Sequence, residues 1–572
     1  MELIPGLVSN AEDQPHHVVL TTADSVEISL IAIGDNDQPI EFDGSLTPVD
    51  ATEQFRPGGI PREWSDFSAG GGYSFYDERV PNGYAWAKNV WTLVPHVALP
   101  SGALTTVALP SGTHSEIRTG FEVSGHLYFG TGYQACKVTN GTATSATSVA
   151  VFSTVHGTTA TVTSSTIYLG NAYWGGTLGT SPSALIQQTL PGDVFTQGAT
   201  CTRWQLASFF GVDGEGSWDQ WLVGTVASNA AFKITNSASP LLDTNWTPAS
   251  ADGTSLGDPT ARCNGIVAAR QAPFFLMTDG IRIVQRNGVY IPNITPHWQD
   301  TYWANNGVAA VIVAGRLYAN IISGIDMVVG LDGQINDTPF LVHPGADLPN
   351  ETPVAGETWA MCRDGDWIVA AMYNSVTTTT YICWGKPRSS VPGQPGITPM
   401  IWHMSPCVIE GEKVTWLHKS APGGEPRLWI GSRNASNTTS YLRWMSLPQS
   451  GNIVQELTAG GPWRSRTDTC TMYLPSNPWS QGVHSLKAAR HVAVVSKSAS
   501  QTSTLAAYVS PDEAARVQLG PTVQESPYVE ARVLTDVSGR QLAPSVDFLA
   551  GTATSPPLLR ALTLWAGDGI KA

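Results

Sequence analysis

One weak strand theme recurs from about Ser111 to Pro448, and it narrows the folds open to the chain. An apolar strand carries an aliphatic residue or Phe, usually followed by an aromatic, then closes on Gly, Ala or Thr. A turn and a second, alternating strand follow. The clearest copy is Gly125-His126-Leu127-Tyr128-Phe129-Gly130-Thr131-Gly132, then Ala135-Cys136-Lys137-Val138 and the turn Asn140-Gly141. Variants centre on Ile167, Leu222, Phe275, Leu317, Ile368 and Leu428, at steps of 40, 55, 53, 42, 51 and 60 from Leu127 onward. Degenerate units of roughly 40–50 residues, each a few strands, mark a β-propeller. No single unit can hide both faces of its sheet, so neighbours must stack. The expectation is an all-β chain with a six- or seven-bladed propeller over 111–450.

Composition agrees with a turn-rich β protein. Gly and Pro, 56 and 39 of 572 residues, make up about a sixth of the chain, while charged residues reach only 13%. A hydrophobic share of 42% with 20 Trp can fill a large core, which a disordered chain cannot do. The net charge of −15 argues against nucleic acid, whose phosphates call for a basic surface. No apolar run reaches the ~20 residues of a membrane span. Met1-Glu2-Leu3-Ile4-Pro5 lacks the basic and apolar regions of a signal peptide, which fits synthesis in a host cytoplasm. The seven cysteines are odd in number and widely spaced, without C-x-x-C, so buried reduced thiols are expected.

Either side of the repeats the texture changes. Residues 1–110 read as an extended, glycine-rich N-terminal arm with short strands, the best being Val18–Leu20 and Val26–Ile33. This arm holds Phe67-Ser68-Ala69-Gly70-Gly71-Gly72, and glycines there permit positive φ or a close backbone approach. It is expected to wrap the propeller or an adjoining subunit. Leu447-Pro448-Gln449-Ser450-Gly451-Asn452 reads as a boundary. Over 451–572, period-2 strands with frequent turns predict a β-sandwich.

The Phe-x-x-Gly-Gly-Gly segment, then Asp77 and Asn89-Val90, and then a propeller, resemble the opening of tailed-bacteriophage virion proteins. The end agrees: Pro557-Leu558-Leu559-Arg560-Ala561-Leu562-Thr563-Leu564 resembles the final strand of many tail proteins. The resemblance covers most of the chain as an architecture. It implies a virion component in several copies, in a ring or around the tail, with other phage tail proteins as partners. It brings no catalytic residues with it.

Chemistry is sparse. Asp213, Glu215, Ser217 and Asp219 alternate oxygen ligands with glycines, a pattern suited to Ca²⁺, the candidate ion here; no other cofactor is implied. The twelfth position of such a loop is Gly224, not a bidentate Glu. The stretch also resembles the Asp-box turn of sialidase propellers, with Gly211 in place of Ser and Glu215 in place of Gly. A solvated hairpin is the plainer reading. Asp364-Gly365 and Asp332-Gly333 read as hairpin turns. Glu410, Glu412, Glu425, Asp326 and Asp364 lie near blade loops, but sequence brings no pair of them together for glycoside hydrolysis. The histidines form no metal-ligand motif.

Trp298, Tyr302 and Trp303 bracket a polar loop and are the candidate contacts for a host glycan or a partner protein, against packing inside the fold. The loop 385–400, with four prolines, reads as an interaction arm. The functional expectation is a non-enzymatic phage-tail component. The alternatives are a host-glycan receptor-binding tail protein and a propeller hydrolase of surface polysaccharide.

Overall fold

The computed structural model describes residues 60–71, 83–139, 144–152, 160–212, 218–226, 230–269, 272–284, 303–330, 356–387, 400–448, 465–474, 487–498, 504–523, 529–549 and 556–568, apart from one- or two-residue gaps. It also describes 294, 295, 298 and the short strands at 2–3, 16–21, 27–32, 41–42 and 339–340. The chain is all-β, built of many small antiparallel sheets.

Seven of these sheets follow one another along the sequence, over 119–151, 160–202, 206–255, 263–283, 310–340, 357–410 and 412–446. Each is a meander, as short connections between antiparallel strands favour. The first strand of each sheet neighbours the first strand of the next, and that of the seventh (Glu412–Ser420) neighbours that of the first (Thr119–Val123). The circuit closes, which is the propeller arrangement, with sheets as blades about a common axis.

The recurring aliphatic positions explain why the ring holds. Leu127, Leu222, Phe275, Leu317, Ile368 and Leu428 all lie on the second strand of their blade, and each is 0% exposed. That strand is covered by a neighbouring blade on both faces, so each such side chain stabilises by roughly 1.5–3 kcal/mol. Ile167 is the exception. It falls on the first strand of its blade, Ala160–Tyr168, and the second strand is Asn171–Leu178, with Tyr173 and Trp174 buried. Two-residue turns with both residues at positive φ join these strands, as at Ser124-Gly125 and Leu169-Gly170. Their backbone twist matches that of the paired strands.

The seventh blade is completed from far away. Leu104–Val107 pairs antiparallel with Ser440–Ser446, setting Val107 opposite Leu442 and Leu104 opposite Met445. The sequence placed these residues in the arm. Strand pairing across more than 330 positions leaves no trace in local periodicity, so the assignment to the ring had to come from the structure.

The C-terminal strands form two sheets that pack face to face. One runs Val517–Gln518, Thr504–Pro511, Leu542–Leu549, Cys470–Tyr473, Trp86–Lys88; the other runs Val529–Gly539, Lys487–Ser498, Pro557–Asp568, Ile60–Trp64. Val492, Val494 and Leu564 from one meet Leu505, Val546 and Phe548 from the other. Thus 60–64 and 86–88 are edge strands of these layers, with Trp64 opposite Leu562 and Trp86 opposite Tyr473. Residues 2–42 contribute a further four-stranded meander.

The same N-terminal stretch binds the sixth blade. Val408 N donates to Asn89 Oδ1 at 2.8 Å, and Lys88 pairs with Glu410 at 2.7 Å. Tyr84 Oη, Thr92 Oγ1 and His403 Nδ1 form a buried relay at 3.0 and 2.8 Å. Gly70, at φ +81, sits so close to Trp402 that a Cβ would lie 2.4 Å from its carbonyl oxygen. Gly71 N donates to that oxygen at 2.6 Å. This is the close approach the glycine run permits. All seven cysteines are buried, and no disulfide joins any of them.

Candidate functional site

The first strands of six blades, and the residues leading into that of the fifth, converge on a polar cavity of about 200 Å³. Thr119, Ser165 and Leu206 line it from the first three blades, and Asn264 and Val308 from the next two. Trp359 and Thr415 complete the circle from the sixth and seventh. Every blade therefore reaches the axis.

Four of the lining residues occupy the same irregular position. The first strands of the second, fourth, sixth and seventh blades each slip register by one residue against their neighbour, between Val162 and Ser164, Cys263 and Gly265, Thr358 and Ala360, and Val414 and Trp416. The unpaired residues are Thr163, Asn264, Trp359 and Thr415, and all four face the cavity. A bulge re-aims one side chain out of the alternation. Here it turns a polar or aromatic group toward the axis while Val162, Cys263, Ala360 and Val414 stay buried in the core.

The bulged residues also tie each blade to the next. Thr163 Oγ1 donates to Trp204 O at 3.3 Å, and Asn264 Nδ2 donates to Ala304 O and Asn306 O at 2.8 Å each. Thr415 Oγ1 donates to Ile117 O at 2.8 Å, closing the ring between last and first blades. Trp359 Nε1 donates to Glu357 Oε2 at 3.0 Å, and the Lys413 ammonium of the seventh blade lies 3.8 Å over the Trp359 ring.

Charge gathers on this side. Glu116, 9% exposed, accepts from Arg118 Nε at 2.7 Å through Oε2, with Arg433 3.7 Å away. Its other oxygen, Oε1, is buried and has no hydrogen-bond partner among the described residues. Lys413 makes its cation–π contact with Trp359 but no ion pair with a carboxylate at bonding distance among the described residues. Burial holds the Lys413 ammonium below the usual lysine range; Arg118 and Arg433 push the same way, while Glu116 and Glu357 oppose them.

The residues singled out from sequence fare differently. Trp298 is fully buried, packed with Phe274, Leu276, Ile281 and Leu317. An indole with both faces covered cannot stack on a sugar, so Trp298 is a core residue and not a glycan platform. Trp303 is half-buried and meets Trp359 edge-on at 5.8 Å, which puts it beside the axial cavity. Tyr302 lies outside the described residues.

Of the candidate Ca²⁺ ligands, Asp213, Glu215 and Ser217 lie outside them too. Asp219 accepts from Gln220 N at 2.8 Å and from Asn236 Nδ2 at 3.0 Å, beside a hairpin framed by Val212 opposite Trp218. Residues 331–333, His297, His343, the side chain of Asp326 and most of the proline-rich loop 385–400 are likewise not described.

The carboxylates near blade loops are engaged one by one. Asp364 accepts from Trp384 Nε1 at 3.0 Å and pairs with Lys419. Glu425 pairs with Arg427 at 2.7 Å, and Glu412 holds Arg443 and Ser432 within the seventh blade. Sequence reading passed over Glu116, Arg118, Trp359, Lys413 and Thr415. The only local sign was a polar residue set into an apolar strand, as Thr415 between Val414 and Trp416, and it says nothing about the axis.

No protein-family model and no curated protein matches the chain. Among solved structures, an extracellular domain from B. thetaiotaomicron aligns at 11% identity and TM-score 0.36 over 59% of this chain; the chain spans 39% of that domain's length. The Neurospora crassa Pan2 WD40 domain aligns at 8% identity and 0.33 over 59% of this chain and 90% of its own. An exo-β-1,3-galactanase from Phanerochaete chrysosporium aligns at 11% identity and 0.25 over 82% of this chain and all of its own. At such scores none of these likenesses bears on activity or ligand.

Proposed function

We propose that the chain is a structural, non-enzymatic component of a tailed-phage virion, placed by contacts with other tail proteins and present in several copies. One observation carries this reading. The segment 60–107 gives a strand to each of three sheets, through Trp64 opposite Leu562, Trp86 opposite Tyr473 and Val107 opposite Leu442. Ring and C-terminal layers are thereby sewn together by backbone pairing and not by a flexible linker, the usual connection between domains. A part that holds its place in an assembly gains from such stiffness. Blade loops, freed from holding the scaffold, supply the partner contacts, each an apolar or aromatic anchor with a polar rim.

The test is mass spectrometry on particles purified by density gradient from a culture that carries the gene. Peptides of this chain are expected to travel with the particles at a fixed ratio to the major tail protein. Their absence from intact particles would remove the reading.

A second reading, recognition of a host glycan, is favoured by the axial cavity, whose polar wall includes the ring of Trp359. The hydrolase alternative is less well served. Glycoside hydrolysis uses two working carboxylates, and Glu116, the carboxylate in the described lining, is held by Arg118.

A further inference from the structure

We propose that the axial cavity binds one neutral pyranose ring of a glycan, with Gln205 and Asn264 hydrogen-bonding its hydroxyl groups. This site rests on the glycan-recognition reading above and gives it a place on the ring and a class of sugar. It does not require that the chain belong to a virion.

Gln205 and Asn264, from the third and fourth blades, both line the cavity. Gln205 is half-buried. Its backbone N donates to Thr225 Oγ1 at 3.0 Å, while its side-chain amide bonds to nothing in the described protein. Both hydrogens of the Asn264 amide are taken, by Ala304 O and Asn306 O at 2.8 Å each, which leaves Oδ1 as an acceptor without a donor. Unlike Glu116 Oε1, the Gln205 amide atoms and Asn264 Oδ1 are not sealed inside the protein, so an incoming molecule can reach them. Together they offer two acceptors and one amide donor. Thr163 and Thr415 donate their hydroxyl hydrogens to Trp204 O and Ile117 O, and so retain acceptor capacity only.

Such a wall selects its ligand by chemistry. It calls for hydrogens more than it supplies them, and a sugar hydroxyl both donates and accepts. The charged residues in the described lining, Glu116 and Arg118, hold each other at 2.7 Å, so no charge is left there for an ion to balance. A sugar acid would lose water from its carboxylate and find the lining cation already engaged. Trp359 is the aromatic residue of the described lining, and its apolar surface suits the C–H groups of a pyranose. At about 200 Å³ the cavity lies below the roughly 300–1,000 Å³ of sites for drug-sized ligands, which suits a single ring.

The test is calorimetric titration of the full chain with the methyl pyranosides of glucose, galactose and mannose, and with the sodium salt of methyl glucuronide as a charged counterpart. At least one neutral glycoside is expected to saturate and to bind more tightly than the glucuronide. No saturable binding of any neutral glycoside overturns the proposal, and so does a glucuronide that binds as tightly as the best of them. Gln205→Leu should weaken that glycoside at least about tenfold. Because the amide makes no bond within the described protein, the urea midpoint of this variant should match that of the parent. Unchanged affinity would remove the site from the axis; Gln205→Met probes the same amide should leucine disturb folding. A glycan array on the same proteins separates this site from the reading beneath it. Array binding that Gln205→Leu leaves intact would put glycan recognition elsewhere on the chain and sink only the axial site. An array without any binding would sink both.

Discussion

The Arg203 guanidinium donates to Asp243 Oδ1 at 2.9 Å while lying 3.9 Å over the ring of Trp246. Lys233 takes the other oxygen of the same carboxylate at 2.8 Å. Both cationic side chains are 1% exposed, so two buried positive charges depend on one anion between the second and third blades. Removing one partner of a buried pair leaves an uncompensated charge, which costs more than the pair contributes. Asp243→Asn should lower stability by about 3–5 kcal/mol, read from the midpoint of urea unfolding. A midpoint unmoved by the substitution would show that the two cations find other partners.

Acid should loosen the protein well above the carboxylate range. Burial holds His403 down to about 3 and His418 down to about 4, the latter stacked on Trp416 at 5.5 Å. Both lie below the unfolded value of 6.5. Between these limits the unfolded chain binds protons that the folded chain refuses, so stability is whole above about pH 6.5 and falls as pH drops toward the folded values. The slope is about 1.4 kcal/mol per pH unit for each histidine. Thermal melts at pH 7 and pH 5 should show the drop, and His403→Asn with His418→Gln should flatten it. Equal melting temperatures at the two pH values would contradict the burial of these rings.

Closure of the ring depends on Leu104–Val107, and the C-terminal layers depend on Ile60–Trp64 and Trp86–Lys88. A chain beginning at residue 111 would expose three sheet edges at once. Unpaired edges recruit other chains, so this shortened protein should aggregate or lose cooperative unfolding, as light scattering and urea titration would report. A soluble monomer with the full-length urea midpoint would mean that these strands add nothing.

A tight contact marks the seam between the first and seventh blades. A Cβ on Gly120 would lie 2.5 Å from Trp416 Cζ2 and 2.7 Å from Tyr128 O. Gly120→Ala should therefore cost about 1–3 kcal/mol, since a packed core has no room for an added methyl. Combining it with Trp416→Leu should cost less than the sum of the two single changes, because the smaller side chain vacates the clash. Strict additivity would place the strain on the Tyr128 carbonyl instead.

Much of the ring was legible before any coordinates. Ile167 apart, the apolar positions from Leu127 to Leu428 stand out because each second strand is enclosed on both faces, and enclosure demands apolar residues whatever the partner. Period-2 patterning in the C-terminal strands reports one buried face in the same way. These signals are local: a residue's own environment selects its type.

What tertiary structure alone decided was everything set by distant partners. Leu104–Val107 reads as a poor arm strand until Ser440–Ser446 lies beside it. Trp298 and Trp303 are alike in sequence, five residues apart, yet one is enclosed by the fourth and fifth blades and the other meets Trp359 of the sixth. The cavity itself depends on four bulges, at Thr163, Asn264, Trp359 and Thr415, and a bulge exists only as a mismatch between two strands. The chain's own pattern could specify that blades form and must stack. Which seven residues meet at the axis follows from closing the ring.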